Sequence, residues 1–488
     1  MKTRSLLRCL GLILTLTACS VGLSGCSTNA ATGERHLNLI SESQEIAMGK
    51  EYDGEVQGSL GVYEDAELQR YIQNLGTRIA AKTERANLPW SFRVVDDPVV
   101  NAFALPGGYI YVTRGLMAYM NNETQLAGVV AHEIGHVTAR HSVNNMSSQM
   151  LAQLGLGLGM ILAPEEMQKY GSLVTAGLSI LFLKFSRDDE TQADNLAVRY
   201  MTRIDQDPRE LIQVMNLLDR VSQASGGGRI PEWLSTHPNP PTRVQDITSQ
   251  IDTMKMKPTP AKIDPAAYLE RLGGLTFGEN PREGYFKGNS FYHPDLKFCL
   301  DFPQGWKTAN QKQAVVAQSE SGDAALQLTL VNTKSADSAS NGFFGQQGVT
   351  AGPRHSLFIN GLRSVSGTFS ANTEQGALAG SAAFVEYDGK VYQILGYSAQ
   401  QSWSGYQSAV NSTALSFNRL TDKQALSAQP MKIKIVTLPE AMTLEQFVQR
   451  YPSAVPLATV ALANQAEATT KFKKGDRLKQ IVGQQIQN

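Results

Sequence analysis

Apolar residues recur at helical spacing through the first half of the chain. Leu68, Ile72, Leu75 and Ile79 predict a helix from Asp65 to Ala86, and a more polar helix follows Ser41 as far as about Val56. Leu126, Val129, Val130 and Ile134 form a third stripe, opened by Asn122 as N-cap with Gln125 as its N3 partner. Ala193, Leu196, Ala197, Tyr200 and Met201 mark one face of a helix within Arg187 to Arg203, and Val244, Ile247 and Ile251 the inner face of another from Thr242 to Met256. Ser91 to Val95 and Asn101 to Val112 read as short strands, the second split by the turn Pro106-Gly107-Gly108. Two apolar stretches, Met150 to Ala163 and Leu173 to Phe185, are each shorter than the roughly 20 residues that cross a bilayer. Buried or substrate-shielding helices are favoured there, with a membrane-contacting pair as the alternative.

The period changes further on. From about 280 to 425 short alternating runs, such as Leu326-Gln327-Leu328-Thr329-Leu330 and Ala383-Phe384-Val385-Glu386-Tyr387, are separated by Gly, Asn, Asp and Ser turns. After Gln429 the order is strand, Thr-capped helix, second helix and strand. Lys257 to Pro265 is a proline-bearing linker, and Gly226-Gly227-Gly228 is a flexible joint before the stiffer Ser235 to Arg243. The divisions expected are a leader over 1–26, a mainly helical domain with a small sheet over 27–265, an antiparallel α+β module over 280–425 and a small βααβ module over 429–488. The fold class is α+β.

The chain has 488 residues, with 44 basic and 44 acidic side chains, which gives no sign of a nucleic-acid surface. Three of the bases, Lys2, Arg4 and Arg8, precede the apolar run Leu10 to Leu16 and read as an export signal. Leu23-Ser24-Gly25-Cys26 then resembles a bacterial lipobox, which makes Cys26 the lipidated first residue of the mature chain; Leu16-Thr17-Ala18-Cys19 also fits. Ser27 after the cysteine suggests, by analogy with known lipoproteins, sorting to the outer membrane. Processing at Cys26 leaves Cys299 as the free thiol and no intramolecular disulfide framework, so stability in the periplasm must come from packing or metal.

The chemistry lies in Val130-Ala131-His132-Glu133-Ile134-Gly135-His136. Histidines four apart on a helix share a side, and a glutamate one residue after the first can take a proton from water held by a hydrolytic dication. Such a site needs a third protein ligand. His141 lies nine residues after His132, about 180° around a continuing helix, so it cannot join while the helix continues. The longer pattern with a third histidine beyond a glycine turn is absent, since Ala139 and Ser142 occupy those places. An acid further on must serve. On the helix from Arg187, Glu190 and Asp194 fall on the buried side, where unpaired charge is costly. Glu190 is the expected third ligand, and Asp194 is expected to accept the distal N–H of a ligand histidine.

HEIGHVTARH, SRDDETQAD and STHPNPPTR, in that order, resemble the HtpX, BepA and prenyl-protease group of gluzincin metallopeptidases, peptidase family forty-eight, over about residues 27 to 260. The resemblance implies a zincin-type catalytic domain in which His132, His136 and Glu190 bind one zinc ion, Glu133 is the catalytic base and Asp194 supports the site. It matches the family's loop histidine to His237, which either stabilises the oxyanion or occupies the open metal position and holds the enzyme latent. Arg243 is read as an anchor of that loop. NAFALPGGYIYV looks like the family's edge strand, which aligns substrate backbone by strand addition. Cleavage of misfolded or membrane-associated proteins is implied. Further on, FYHPDLKFCLDFPQGW with YDGKVYQILGYS weakly resembles the PsbP/Mog1-type fold, and 429–488 looks like a LysM-like module, which implies peptidoglycan binding or, equally, docking. The expectation is a lipid-anchored zinc endopeptidase of the bacterial envelope, engaged in quality control. The alternative is an envelope chaperone or assembly factor that uses the same fold, for which client protection survives loss of Glu133.

Overall fold

A short hairpin of β1 (Cys26–Thr28) and β2 (Arg35–Leu37) leads into the first long helix of the computed structural model, which describes residues 26–156, 185–224, 236–237, 241–254, 265–373 and 376–484. That helix, α1 (Glu42–Leu60), starts on a capping box between Ser41 and Gln44 and ends at Gly61, whose φ of 72° suits glycine, so it runs past the expected Val56. α2 (Ala66–Ala80) starts on Asp65 and buries Leu68, Ile72, Leu75 and Ile79. It stops short of Ala86, because the chain turns at Thr83, whose hydroxyl donates to the Ala80 carbonyl.

β3 (Ser91–Val95), β4 (Ala102–Leu105) and β5 (Tyr109–Thr113) form a sheet in the order β3-β5-β4, with β3 parallel and β4 antiparallel to β5. β4 is therefore an edge strand. Gly107 and Gly108 turn the chain between β4 and β5 at φ 79° and 103°, and a Cβ on Gly107 would lie 2.8 Å from the Ile46 backbone. After α3 (Arg114–Tyr119), Asn122 caps α4 (Glu123–Ala139), which is buried from Thr124 to Ala139. α5 (His141–Leu156), α6 (Arg187–Arg203), α7 (Arg209–Ala224) and α8 (Pro241–Thr253) complete the helical layer. α6 approaches α4 closely at Gly135, where a Cβ would sit 3.0 Å from the Ala193 carbonyl oxygen. Most of the two apolar stretches, the Gly226 joint and the start of the linker at Lys257 lie outside the described residues. No described helix is long and apolar enough to cross a membrane.

α9 (Pro265–Arg271) and β6 (Thr276–Phe277) continue the same core. β7 (Tyr285–Lys287), β8 (Ser290–His293) and β9 (Phe298–Asp301) then open a second body. Its main sheet contains β10 (Lys307–Asn310), β11 (Ala314–Gln318), β12 (Ala324–Val331), β13 (Val349–Ile359), β14 (Leu362–Thr373), β15 (Gly376–Tyr387) and β16 (Lys390–Ala399). These seven strands are antiparallel, in the order β10-β11-β12-β16-β15-β14-β13. Alternation sorts its side chains: Ala383, Val385 and Ile394 face α11 (Trp403–Ser416), while Phe384, Val391 and Leu395 face α10 (Ala336–Phe344). β17 (Asn418–Arg419) pairs with β9, and α12 (Lys423–Leu426) leads out.

The last stretch is β18 (Met431–Thr437), β19 (Met442–Thr443), α13 (Leu444–Arg450), α14 (Leu457–Ala463), β20 (Lys471–Phe472) and β21 (Arg477–Val482). β18 sits between β21 and β6, with Met431 opposite Phe277. Ile433, Leu444, Phe447, Val460 and Ile481 join one continuous core with Leu116, Val130 and Leu218 of the helical domain. Lys479 is buried at that seam and donates to the carbonyls of Ala118, Met120 and Ala463 at 2.7, 2.6 and 3.0 Å. It satisfies carbonyls that the ends of α3 and α14 leave open.

Candidate metal centre

α4 presents His132 and His136 one turn apart, their Nε2 atoms separated by 3.1 Å. α6 brings Glu190 to them from across the core, with one carboxylate oxygen 3.6 Å from His132 Nε2 and the other 3.6 Å from His136 Nε2. His237 enters from the segment before α8, its Nδ1 2.8 Å from Glu190 and 3.4 Å from His132 Nε2. One donor atom from each of these four buried residues lies within 4.8 Å of the others, an arrangement that can hold a metal ion. Tetrahedral zinc with bonds of roughly 2.0–2.1 Å holds its donors about 3.4 Å apart, close to the 3.1 Å between the imidazoles and the 3.6 Å from each to a Glu190 oxygen. Glu133 is buried on the same helix, 3.7 Å from His237 Nε2.

A second tier fixes these groups. Asp194 lies 2.9 Å from His132 Nδ1, the nitrogen remote from the cluster. Arg243, at the start of α8, donates to both Asp194 oxygens at 2.7 and 2.8 Å and reaches Glu190 at 2.9 Å and the His237 carbonyl at 3.5 Å. It therefore anchors the histidine segment, as expected, and also grips both carboxylates of α6. That added role had no separate signal, because helical periodicity gives the buried side of α6 but not what faces it.

His141 requires a correction. The helix does not continue: Arg140 adopts a left-handed conformation at φ 61°, and α5 begins at His141. The chain turns back, and His141 Nδ1 comes within 2.9 Å of His136 Nδ1 while its Nε2 is 3.3 Å from Gln192. His141 thus stands outside the four-donor cluster but orients one of its members. No glycine or asparagine marks the break, so the local sequence concealed it. Phe185 closes this side, with its ring centroid 4.0 Å from that of His136.

The electrostatics favour neutral imidazole on α4 and charged carboxylates on α6. Burial, reinforced by the neighbouring His132 and His237, pushes His136 well below its ordinary value. Burial opposes ionisation of Glu190 and Asp194, but His237 and Arg243 outweigh it and hold both below the usual carboxylate range. His237 moves the other way, because Glu190 and Glu133 overcome its burial and raise it. A neutral His136 and an ionised Glu190 are the states that a dication requires.

Residues 66–251 match the model of peptidase family M48. Residues 66–251 form an M48 peptidase domain. The beta-barrel assembly-enhancing protease of Yersinia pestis is 33% identical over 244 residues, which cover 48% of this chain and 50% of that relative. The mitochondrial metalloendopeptidase OMA1 of Schizosaccharomyces pombe is 30% identical, over 46% of this chain and 66% of that relative. The chain thus spans about half the length of the bacterial relative. Among solved structures, the cyanobacterial PsbP of Synechocystis is 16% identical, covering 27% of this chain and 91% of that one, with a TM-score of 0.23. The M48 domain runs from the first residue of α2 into α8 and contains the whole cluster from His132 to Arg243.

Proposed function

We propose that the M48 domain is a zinc-dependent endopeptidase that hydrolyses peptide bonds of misfolded or envelope proteins in bacterial quality control. The supporting observation is the meeting of His132, His136 and Glu190 at donor separations that suit one dication, with Glu133 beside them. Zinc bound there supplies a Lewis acid that polarises a carbonyl and acidifies water. Glu133 takes the proton of the attacking water and passes it to the departing amine. Asp194 and His141 hold the distal nitrogens of His132 and His136, which keeps each Nε2 directed into the cluster. Zinc-loaded Glu133→Gln should keep its metal by elemental analysis and lose casein cleavage; unchanged turnover would exclude this mechanism.

His237 is read as a latch, since a fourth buried donor in the cluster fills the position that water and substrate need. His237→Ala should then raise casein turnover, and a fall would assign it to the oxyanion instead. Lipidation of Cys26 would tether the chain to the envelope, in the outer membrane on the Ser27 reading. Because the Asn29 side chain donates to the Thr138 carbonyl at 3.0 Å, that tether would hold the active helix close to the bilayer. The LysM-like unit is assigned docking in preference to peptidoglycan, on the strength of its shared core and the Lys479 contacts.

A further inference from the structure

The leading hairpin touches the metal centre by a path that lies outside the donor cluster. Between β1 and β2 the turn 29–34 is closed by its own backbone, the Asn29 N–H donating to the Glu34 carbonyl at 2.8 Å. That turn is docked on the helical layer: Ala31 is buried in the core, the Asn29 side chain donates to the Thr138 carbonyl at 3.0 Å, and Arg199 donates to the Ala31 carbonyl at 3.0 Å. Glu34 is thereby held beside α6. Its carboxylate accepts from the Gln192 amide at 3.0 Å, Gln192 Oε1 lies 3.3 Å from His141 Nε2, and His141 Nδ1 lies 2.9 Å from His136 Nδ1. The turn, α6, α5 and α4 each contribute one side chain to this line, which runs from solvent to a residue of the cluster.

The hydrogens along the line can be placed in one way. His136 directs Nε2 into the cluster, and a nitrogen that binds a dication carries no hydrogen, so the neutral ring keeps its hydrogen on Nδ1 and donates it to His141 Nδ1. His141 then holds its own hydrogen on Nε2 and donates it to Gln192 Oε1. The Gln192 NH2 is left facing Glu34, and an ionised carboxylate can only accept. Every bond therefore points away from the metal position, and a single orientation of the Gln192 amide satisfies both neighbours. His132 needs no such line, because Asp194 faces its Nδ1 directly at 2.9 Å. Each of the two α4 histidines thus ends on a carboxylate, one directly and one through two intermediaries. Hydrogen bonds in series polarise one another, so the distant charge still strengthens the nearer ligand.

We propose that Glu34 and Gln192 are positioning residues of the metal centre, which act through His141 to fix the tautomer of His136 and raise its donor strength. This role rests on His136 being a zinc ligand, and it adds to that reading two residues that touch neither metal nor substrate. It also makes the hairpin a working part of the centre.

The test reads the zinc affinity of the full chain, by competition with a chromophoric chelator, alongside casein turnover. Gln192→Leu breaks the line in its middle and should weaken zinc binding by about tenfold, the lower end of the roughly 10–100-fold typical for outer partners of metal ligands. Glu34→Ala, at the half-exposed far end, should weaken it by about threefold. Gln192→Glu puts a carboxylate directly against His141, so it should keep zinc affinity and make Glu34→Ala harmless in the double variant. His36→Ala, which removes the other partner of Glu34 at 3.1 Å, should leave zinc binding unchanged. Losses that Gln192→Glu does not rescue would make both residues merely structural and overturn the role. Zinc affinity indifferent to Gln192→Leu and Glu34→Ala would overturn it too, and leave the peptidase reading intact. The full pattern of loss and rescue in a chain that cleaves no casein would keep the role and overturn the peptidase.

Discussion

The two regions that follow the M48 domain meet it in opposite ways. The βααβ unit from Met431 to Val482 has no core of its own: its apolar residues complete the core of the peptidase, and a buried Lys479 stitches the seam. The seven-stranded module builds two cores, one on each face of its sheet, and faces the peptidase across an open cleft. Among its links is Lys312 to Asp96, at 3.1 Å. Chain order therefore does not follow packing order. The module is in effect an insertion between β6 and β18, which pair directly, with Phe277 opposite Met431.

The sharpest way to break this comparison is to remove each region in turn. Removing 429–488 takes Ile433, Leu444, Phe447, Val460 and Ile481 out of the core they share with Leu116, Val130 and Leu218; at about 1.5–3 kcal/mol of burial each, their loss is comparable to a domain's usual margin of roughly 5–15 kcal/mol. No cooperatively folded peptidase should remain, as judged by thermal melting. Replacing 279–429 by a short Asn-Gly turn should instead leave a folded peptidase that cleaves short peptides, because the ends it joins are already neighbours in a sheet. A folded C-terminal deletion, or an unfolded insertion deletion, would reverse the assignment.

A smaller effect sharpens the seam itself. Burial pushes the Lys479 amine well below its ordinary value, and three carbonyls depend on it. Lys479→Met keeps the bulk but strands those acceptors, so urea denaturation should show a loss of about 1–3 kcal/mol. A smaller loss would mean that the apolar contacts alone hold the unit in place.

Much of the centre was legible before any fold was known. His132 and His136 share a face because four residues nearly complete a helical turn, and Glu190 and Asp194 follow from the apolar stripe on α6. The same periodic logic misplaced His141, since it assumed that the helix ran on through Arg140. Helix limits erred where a local side-chain bond ended the run, as at Thr83.

The sequence by itself determined which residues share a face, where strands alternate and which side chains can bind metal, because each is set by spacing along one element. Tertiary structure alone decided that Arg243 grips both carboxylates of α6, that Lys479 seals a seam and that Asn101 and Tyr392 line one cleft. Those pairings join residues far apart in the chain, and local periodicity carries no information about which distant surfaces meet.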